Sequence, residues 1–356
     1  MSGVDTADLT AEAIARVDKA DQLAVILELP EHLRDALWRV DSAKLQEWDS
    51  PGGLVVAGMG GSAIGGALAR ACLGDHASRP ILSARGYGVP AWTTPDTTVL
   101  CASYSGNTEE TLAAYDAAGA LGAKRVVVTS GGRIAELARR DSVPVIPVPG
   151  GFQPRCAVGY MTVAALEVAA LCGAGPRMAS EIDVAAAHLE HLCGEWHPDQ
   201  DESRNAAKRL ARSLHGTIPV IAGAGLTVPV AYRWKTQINE NAKVHAFNHE
   251  LPELDHNEIA GWQGARDAGR FAAVFLDDCD THPRIGDRIE LTQELIKERA
   301  TGTFRVETLG QGAVERVMSL VLLGDLVSLY LAVLNGVDPT PVEVIENLKG
   351  LLAERT

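Results

Sequence analysis

The sequence predicts an α/β fold of two doubly wound subdomains, each a parallel sheet flanked by helices in three αβα layers. Three observations predict it. The chain has 356 residues, which exceeds the size at which a single core usually divides. Short β-rich runs alternate with Ala-rich helical runs in both halves. Finally, the run L-V-V-A-G-M-G-G in the first half is echoed by I-P-V-I-A-G-A-G in the second, which indicates a duplicated strand–turn–helix unit.

The first alternation follows a helical stretch at 1–49, whose apolar spacing is typical of amphipathic packing helices. A strand–helix alternation places parallel strands in one sheet and helices on both of its faces. The predicted strands are 54–57, 81–83, 98–102 and 125–129, and the predicted helices are 63–73, 108–120 and 133–139.

The second alternation begins after a turn-forming segment at 147–154, two helices and a polar divider. The two helices are expected at 157–173 and 177–193, and the divider is expected at 197–204. The strands of the second alternation are expected at 218–222, 271–276 and 303–308, and its helices at 228–242, 284–299, 312–335 and 341–353. We therefore divide the chain into a helical segment 1–49, a first subdomain 50–175, a connector 176–204, and a second subdomain with C-terminal helices, 205–356.

The composition excludes several classes of partner. A formal net charge of -14 disfavours binding to nucleic acid or to an anionic membrane, because both attract Lys and Arg. We see no apolar run of about 20 residues, the length needed to cross a bilayer, and no signal peptide at the N-terminus. Six cysteines without C-x-x-C spacing indicate reduced thiols in a cytoplasmic protein; they are Cys72, Cys101, Cys156, Cys172, Cys193 and Cys279.

The first candidate site is the glycine turn G-M-G-G-S-A at 58–63, which follows the first strand. Glycines such as Gly60 and Gly61 let the backbone approach an anion, and Ser62 adds a donor at a helix N-terminus. The stretch also fits the dinucleotide pattern G-x-G-x-x-A, which keeps an oxidoreductase open. An NAD enzyme would need an acid after the next strand, but that strand ends at Arg85, which suits only NADP.

A second loop, S-Y-S-G-N-T, follows the strand at 98–102. Ser103, Ser105 and Thr108 surround a glycine and can donate to a phosphate dianion, with Tyr104 between them. The alternative is simple helix capping, which would use only Thr108. The segment T-S-G-G at 129–132 ends the following strand in the same manner and should close the pocket.

These motifs resemble the sugar isomerase (SIS) domain family, in which a serine-rich loop binds the phosphate of a phosphosugar. The sequence is most similar to the branch of bifunctional phosphoglucose/phosphomannose isomerases, over most of residues 50–353. The matching segments are G-M-G-G-S-A-I-G-G, S-Y-S-G-N-T, Q-P-R-C-A-V-G-Y, R-W-K-T-Q-I-N-E-N-A-K and D-H-N-E-I-A-G-W. The resemblance implies two SIS-type subdomains, a hexose 6-phosphate substrate, a homodimer, and no cofactor or metal.

The resemblance also implies roles for five residues. Isomerisation through an enediolate needs a base, a ring-opening acid/base and a nearby cation. Glu240 matches the family's base, and His256 matches a ring-opening histidine that comes from the neighbouring subunit. Arg155 matches the group that stabilises the enediolate, Lys349 matches a lysine that contacts the substrate, and Thr340 matches a threonine that leaves room for both C2 epimers.

Three other functions are compatible with parts of the sequence. The His and acid cluster at 245–258 could bind zinc, but it lacks tight H-x-H or H-E-x-x-H spacing and Pro252 interrupts it. A sugar-phosphate sensor would keep the loops without needing the base, and an NADP oxidoreductase would need neither the base nor the loop hydroxyls. We expect a metal-independent isomerase that interconverts fructose 6-phosphate with glucose 6-phosphate, mannose 6-phosphate or both.

Overall fold

Two parallel β-sheets organise the chain, as expected from the two strand–helix alternations. The structure is a computed structural model that describes residues 8–355. The first sheet has the order β2-β1-β3-β4-β5 and the second the order β7-β6-β8-β9, with every neighbouring pair parallel. The strands are β1 Leu54–Gly58, β2 Ile81–Ala84, β3 Thr98–Ala102, β4 Lys124–Thr129, β5 Val145–Pro147, β6 Ile218–Ala224, β7 Phe247–Leu251, β8 Phe271–Asp277 and β9 Gly302–Glu307.

Helices cover the sheets and join them. Within residues 8–355 they are α1 Ala11–Val17, α2 Gln22–Leu27, α3 Leu29–Ser42, α4 Gly60–Leu73, α5 Glu109–Ala120, α6 Gly132–Arg140, α7 Val158–Leu171, α8 Ala179–Glu195, α9 Ala206–Leu214, α10 Val228–Gln237, α11 Ala265–Ala268, α12 Pro283–Ile296, α13 Ala313–Leu334 and α14 Glu343–Ala353. Short 3₁₀ turns at Pro154–Ala157 and Glu253–His256 and a π-helical turn at Ile238–Ala242 complete the connections used below.

The core lies around α7 and α13, the two most apolar helices. The segments Pro154–Leu171 and Ala313–Leu334 have the length and composition of membrane spans, yet 83% and 100% of their apolar windows are buried inside the fold. A helix that is apolar on all sides is expected in the middle of a large core. Both helices therefore serve as the central supports against which the surrounding helices pack.

The N-terminal segment packs onto these central helices. α3 contacts α7 and α8, while α2 contacts α13. The described part of the predicted segment 1–49 is helical, as expected, and residues 1–7 lie outside the described residues. This packing brings α2 close to the segment that carries Arg155.

Several elements among the described residues differ from the prediction. The edge strands β5 and β7 were missed, since 145–147 merged with the predicted turn and 247–251 was treated as part of a polar cluster. The helix α9 follows the expected divider and was also missed. The predicted helix 228–242 ends with the π-helical turn instead of a regular helical turn.

The two sheets repeat one topology, in agreement with the sequence echo. In each, the first strand leads through a glycine turn into a helix and then into an edge strand, so that β6, α10 and β7 correspond to β1, α4 and β2. The carboxyl edge of the second sheet is occupied by ion pairs of Asp277 with Arg305 and of Asp278 with Arg316. The carboxyl edge of the first sheet instead carries the glycine turn and the serine-rich loop.

Candidate active site

The carboxyl edge of the first sheet brings the two predicted loops together. β1 ends at Gly58, and α4 begins two residues later. The backbone N–H of Tyr104 donates to the buried Ser62 Oγ at 3.0 Å, so the glycine turn and the serine-rich loop are directly linked. Because β1 and β3 are adjacent parallel strands, their carboxyl ends meet where a doubly wound sheet binds its ligand.

The serine-rich loop is organised around Ser103 Oγ. This buried hydroxyl donates to Thr108 Oγ1 at 3.0 Å and accepts the N–H of Gly106 at 3.1 Å. Ser105 is exposed. Thr108 is the N-cap residue of α5, yet its side chain makes no capping bond to that helix. Capping alone does not explain its hydroxyl, and the free N-terminus of α5 leaves amides available for an anion.

Tyr104 holds the loop in place. Ser130 Oγ and the Ser130 N–H donate to Tyr104 O at 2.6 and 3.0 Å, which joins the predicted third segment to the loop. The Tyr104 hydroxyl accepts the N–H of Phe152 at 3.2 Å, and its ring lies 5.3 Å from the Phe152 ring. The backbone and hydroxyl of Tyr104 have protein partners that support the loop, and binding of the substrate by Tyr104 stays a prediction.

The glycine turn lies directly on the backbone of Arg155. A Cβ atom at Gly61 would be 2.8 Å from Arg155 Cα and 2.9 Å from Pro154 O, which is closer than non-bonded atoms tolerate. Gly60 has φ +51°, in the left-handed region that glycine adopts without strain. Both glycines are therefore required, one for the turn and the other for the close approach of Arg155.

The guanidinium of Arg155 is buried and anchored on one edge. Its Nε donates to Asn241 Oδ1 at 2.7 Å. Its Nη2 donates to Pro339 O and Thr340 O, both at 2.8 Å, and to Gln22 Oε1 at 3.1 Å. Burial lowers the pKa of Arg155, and the neighbouring Glu240 acts in the opposite direction. An arginine stays charged even so, so this group is a fixed cation.

Glu240 faces the remaining edge of that guanidinium. Arg155 Nη1 lies 3.5 Å from Glu240 Oε2, and 27% of the Glu240 side chain is exposed. The π-helical turn that carries Glu240 ends at Lys243, whose φ is +56° and whose Nζ donates to Glu240 O at 2.6 Å. Burial, followed by the nearby Arg155, lowers the pKa of Lys243. A partly exposed carboxylate next to two cations is thus held at the end of α10.

A groove of about 460 Å³ opens beside Glu240. It is lined by Asn239, Glu240, Lys243, Val244, His245 and residues 341–345. Just before that last segment, Thr340 Oγ1 is buried without a hydrogen-bond partner, although its N–H donates to Asp338 Oδ1. A buried, unpaired hydroxyl costs stability unless something else binds it.

Two of the predicted residues lie apart from this cluster. His256 is exposed at the end of the 3₁₀ turn after β7, and across residues 8–355 no hydrogen bond or ion pair links it to Glu240 or Arg155. Lys349 lies on α14, one turn beyond Ile345 at the groove, and all residues of α14 are exposed. The single chain therefore assembles the loops, Arg155, Glu240 and Thr340, and leaves His256 and Lys349 at its surface.

The acid and histidine cluster at 245–258 is used for pairing. His249 Nδ1 lies 2.6 Å from Glu258 Oε1, and Asp255 pairs with Arg288 at 2.9 Å. Within the described part of the chain, His, Cys, Asp and Glu side chains nowhere gather in groups of three or more that could hold a metal ion. Arg85, the residue of the NADP alternative, is exposed with its guanidinium 4.4 Å from the Tyr232 ring.

Two residues that surround Arg155 were not predicted from the sequence. Gln22 is 3% exposed and Asn241 is 0% exposed, and both contact the Arg155 guanidinium. Asn241 lies inside the motif that carries Glu240, so its position could have been flagged. Gln22 lies in an amphipathic helical segment with no motif, and no local signal points to it.

Comparisons with known proteins identify relatives of this chain. The model of the bacterial phospho-glucose isomerase C-terminal SIS domain matches residues 203–352. A bifunctional phosphoglucose/phosphomannose isomerase of Caldicellulosiruptor bescii is 41% identical over 85% of this chain and 89% of its own length. The protein of the same name from Aquifex aeolicus is 34% identical over 83% and 89%. A glucose-6-phosphate isomerase like protein from Thermus thermophilus shares the fold, with a TM-score of 0.62 over 96% and 98% of the two chains at 19% identity.

Proposed function

We propose, since the chain belongs to the family of bifunctional phosphoglucose/phosphomannose isomerases, that it interconverts fructose 6-phosphate with glucose 6-phosphate, mannose 6-phosphate or both. The observation that carries the proposal is the pair of Arg155 Nη1 and Glu240 Oε2 at 3.5 Å, together with the serine-rich loop. A phosphate loop alone would suit a sensor equally well. A carboxylate beside a buried cation supplies what enediolate chemistry needs.

The phosphate is bound at the carboxyl edge of the first sheet. Ser62, Ser103, Ser105 and Thr108 supply hydroxyl donors, and the N-termini of α4 and α5 supply amides and favourable dipoles. No lysine or arginine is needed for this part of the ligand. The turn at Gly60 and Gly61 sets the distance between the phosphate and Arg155.

Glu240 transfers the proton between the two sugar carbons. With the ring open, the carboxylate takes the proton from C2 of the aldose, and the electrons of that C–H bond form the enediolate. The proton of the C2 hydroxyl passes to O1, Glu240 returns its proton to C1, and C2 becomes the carbonyl of the ketose. Arg155 Nη1 stabilises the negative charge that develops on the enediolate oxygens. Thr340 contacts this guanidinium through its carbonyl oxygen, which accepts from Arg155 Nη2 at 2.8 Å, and this proximity supports a place for Thr340 beside the sugar.

His256 opens the sugar ring from the neighbouring subunit of a homodimer. An imidazole can both accept and donate a proton, so it can exchange one with the ring oxygen. The surface supports association with a second copy, because the exposed helix α14 carries apolar residues at i, i+1, i+4, i+7 and i+8. These are Val344, Ile345, Leu348, Leu351 and Leu352. Such a face is normally covered in the working protein, and covering it would also bring Lys349 of α14 into an interface.

The cytoplasm is the expected compartment. All six cysteines are free, and four of them are buried where oxidation would disturb the core. Burial raises the pKa of Cys72, Cys101 and Cys156 to about 12, so these thiols stay protonated and unreactive. That state suits a reducing compartment.

The isosteric substitution Glu240→Gln tests the base directly. We expect kcat to fall by roughly 10²- to 10⁴-fold, the usual contribution of a general base, in coupled assays run in parallel on glucose 6-phosphate and mannose 6-phosphate. Sorbitol 6-phosphate, which has no carbonyl, should bind the variant as it binds the wild type. The matched control Glu298→Gln changes an exposed carboxylate in the turn after α12 and should leave both measurements unchanged.

Retained turnover by Glu240→Gln would refute the assigned base. A wild-type protein that binds sorbitol 6-phosphate but isomerises neither aldose would identify a sensor. Addition of EDTA should leave the wild-type rate unchanged, since no step assigned here uses a metal ion. A rate that EDTA abolishes and zinc restores would overturn the assignment.

The shared site is tested by mixing two inactive variants. A mixed dimer has one Glu240→Gln chain and one His256→Ala chain. If each site takes its two residues from different chains, one of the two sites has both native residues and the other has neither. Random exchange of subunits should then restore about one quarter of the wild-type activity, as the symmetry of a two-fold dimer requires. If both residues act within one chain, mixing restores no activity, and the proposed contribution across the interface is wrong.

A further inference from the structure

The guanidinium of Arg155 is held so that one nitrogen remains for the reaction. Nε and Nη2 donate to Asn241 Oδ1, Pro339 O, Thr340 O and Gln22 Oε1 at 2.7 to 3.1 Å. Nη1 has only long contacts, 3.4 Å to Gln153 and 3.5 Å to Glu240. A planar guanidinium cannot turn one nitrogen without turning all three. The acceptors on the far edge therefore decide where Nη1 points.

Gln22 fixes that edge through two bonds at once. Its Oε1 accepts from Arg155 Nη2 at 3.1 Å, and its Nε2 donates to Asn241 Oδ1 at 3.0 Å. Asn241 Oδ1 also accepts from Arg155 Nε, so the three side chains close a ring of hydrogen bonds. Asn241 Nδ2 donates in turn to Ser328 Oγ on α13 at 2.9 Å. The ring therefore links the segment before α7, the π-helical turn and the core helix.

The backbone of Gln22 is itself fixed. Asp18 accepts the N–H groups of Gln22 and Leu23 at 2.9 and 2.8 Å, which caps the start of α2. Asp18 is 6% exposed and Gln22 is 3% exposed. A buried amide in this position has little freedom, since any other rotamer would leave its polar atoms unpaired. The N-terminal helical segment thus places one side chain beside the reacting groups.

We propose that Gln22 is a positioning residue, which acts through Arg155 by directing Nη1 toward Glu240 and the developing enediolate. The inference rests on the proposed function and gives the N-terminal segment a part in it. Within residues 8–355 the side chain of Gln22 hydrogen-bonds to Arg155 and Asn241, and to neither of the proposed phosphate loops. Its loss should therefore slow the chemical step and leave substrate binding almost unaltered.

The substitution Gln22→Met tests this, because Met keeps the length and volume of the side chain and removes both hydrogen bonds. We expect kcat to fall about 10- to 100-fold, the effect of a misplacement near 1 Å, with KM within about twofold of the wild type. The matched control is Gln46→Met, which changes an exposed glutamine in the same segment and should change neither constant. Thermal unfolding is measured for both variants.

A double-substitution cycle with Arg155→Met tests whether Gln22 acts through the arginine. If it does, adding Gln22→Met to Arg155→Met causes no further loss of kcat. Full additivity would refute the inference, as would a Gln22→Met enzyme with an unchanged kcat. A fall in kcat with an equal rise in KM and a lowered unfolding midpoint would identify a structural role only. A wild-type protein without isomerase activity would instead refute the proposed function, and the inference with it.

Discussion

Gly61→Ala tests the contact between the glycine turn and Arg155. The added Cβ would be 2.8 Å from Arg155 Cα and 2.9 Å from Pro154 O, both in the backbone. Ordinary carbon–carbon contact begins at about 3.5 Å, so the two segments must separate by roughly 0.7 Å. Because the neighbours are backbone atoms, no side chain can rotate away to relieve the overlap.

The displacement should lower both stability and activity. Overpacking at a site of this kind costs about 1–3 kcal/mol of the free energy of unfolding. The same movement shifts Arg155 relative to Glu240 and the bound phosphate, and misplacement on this scale lowers rates by up to about 10²-fold. We therefore expect kcat/KM of Gly61→Ala to fall about 10- to 100-fold in the coupled isomerase assay.

Gly74→Ala is the matched control, since Gly74 ends the same helix with φ +47° and nothing within 4 Å of its Cβ position. That change should cost about 1–3 kcal/mol through backbone strain alone and leave kcat/KM unaltered. The reasoning is refuted if both variants lose activity in proportion to stability. It is equally refuted if Gly61→Ala keeps the wild-type kcat/KM.

The remaining predictions concern the phosphate loop and the N-terminal segment. Thr108→Val should raise KM about 10-fold or more by removing a donor to a charged group, whereas Thr111→Val, which changes a buried hydroxyl without a partner, should leave KM unchanged in steady-state assays. Burial lowers the pKa of His32, against the opposing charges of Glu28 and Asp35, so the unfolded chain binds the proton more tightly. Stability should decline as pH falls below about 6.5, and denaturant titrations should find a weaker decline in His32→Phe. Equal pH slopes would contradict that assignment.

The sequence predicted the two sheets because their central strands are continuous apolar runs. Every residue of β1 and β3 is buried, as expected for strands covered on both faces. β7 escaped prediction for the converse reason. It is an edge strand with exposed positions at Phe247 and Glu250, and its polar residues looked like a ligand cluster. Edge strands carry weak hydrophobic patterns, so a single sequence seldom distinguishes them from loops.

The site divides in the same way between local and long-range features. The loop hydroxyls were predictable because all of them lie in one short segment that follows one strand. The surroundings of Arg155 were not, because its partners Gln22 and Thr340 lie 133 and 185 residues away in the sequence. No spacing rule relates such positions, and only the packing of α2 and of the chain after α13 brings them together. The family resemblance predicted that Arg155 belongs to the site, and the packing of these distant segments explains how its guanidinium is oriented.

In the proposed reaction, the duplicated unit supplies opposite helix ends. In the first copy the N-terminus of α4 follows the carboxyl end of β1, where its dipole would favour the anionic phosphate. In the second copy the helix α10 contributes its C-terminal end, where Glu240 lies. A carboxylate is poorly placed at that end of a helix unless cations offset the dipole, and Arg155 and Lys243 lie there. The two cations are therefore needed because Glu240 lies at the C-terminal end of a helix. Removal of the Arg155 side chain should impair proton transfer by Glu240 more than it impairs binding of the phosphate.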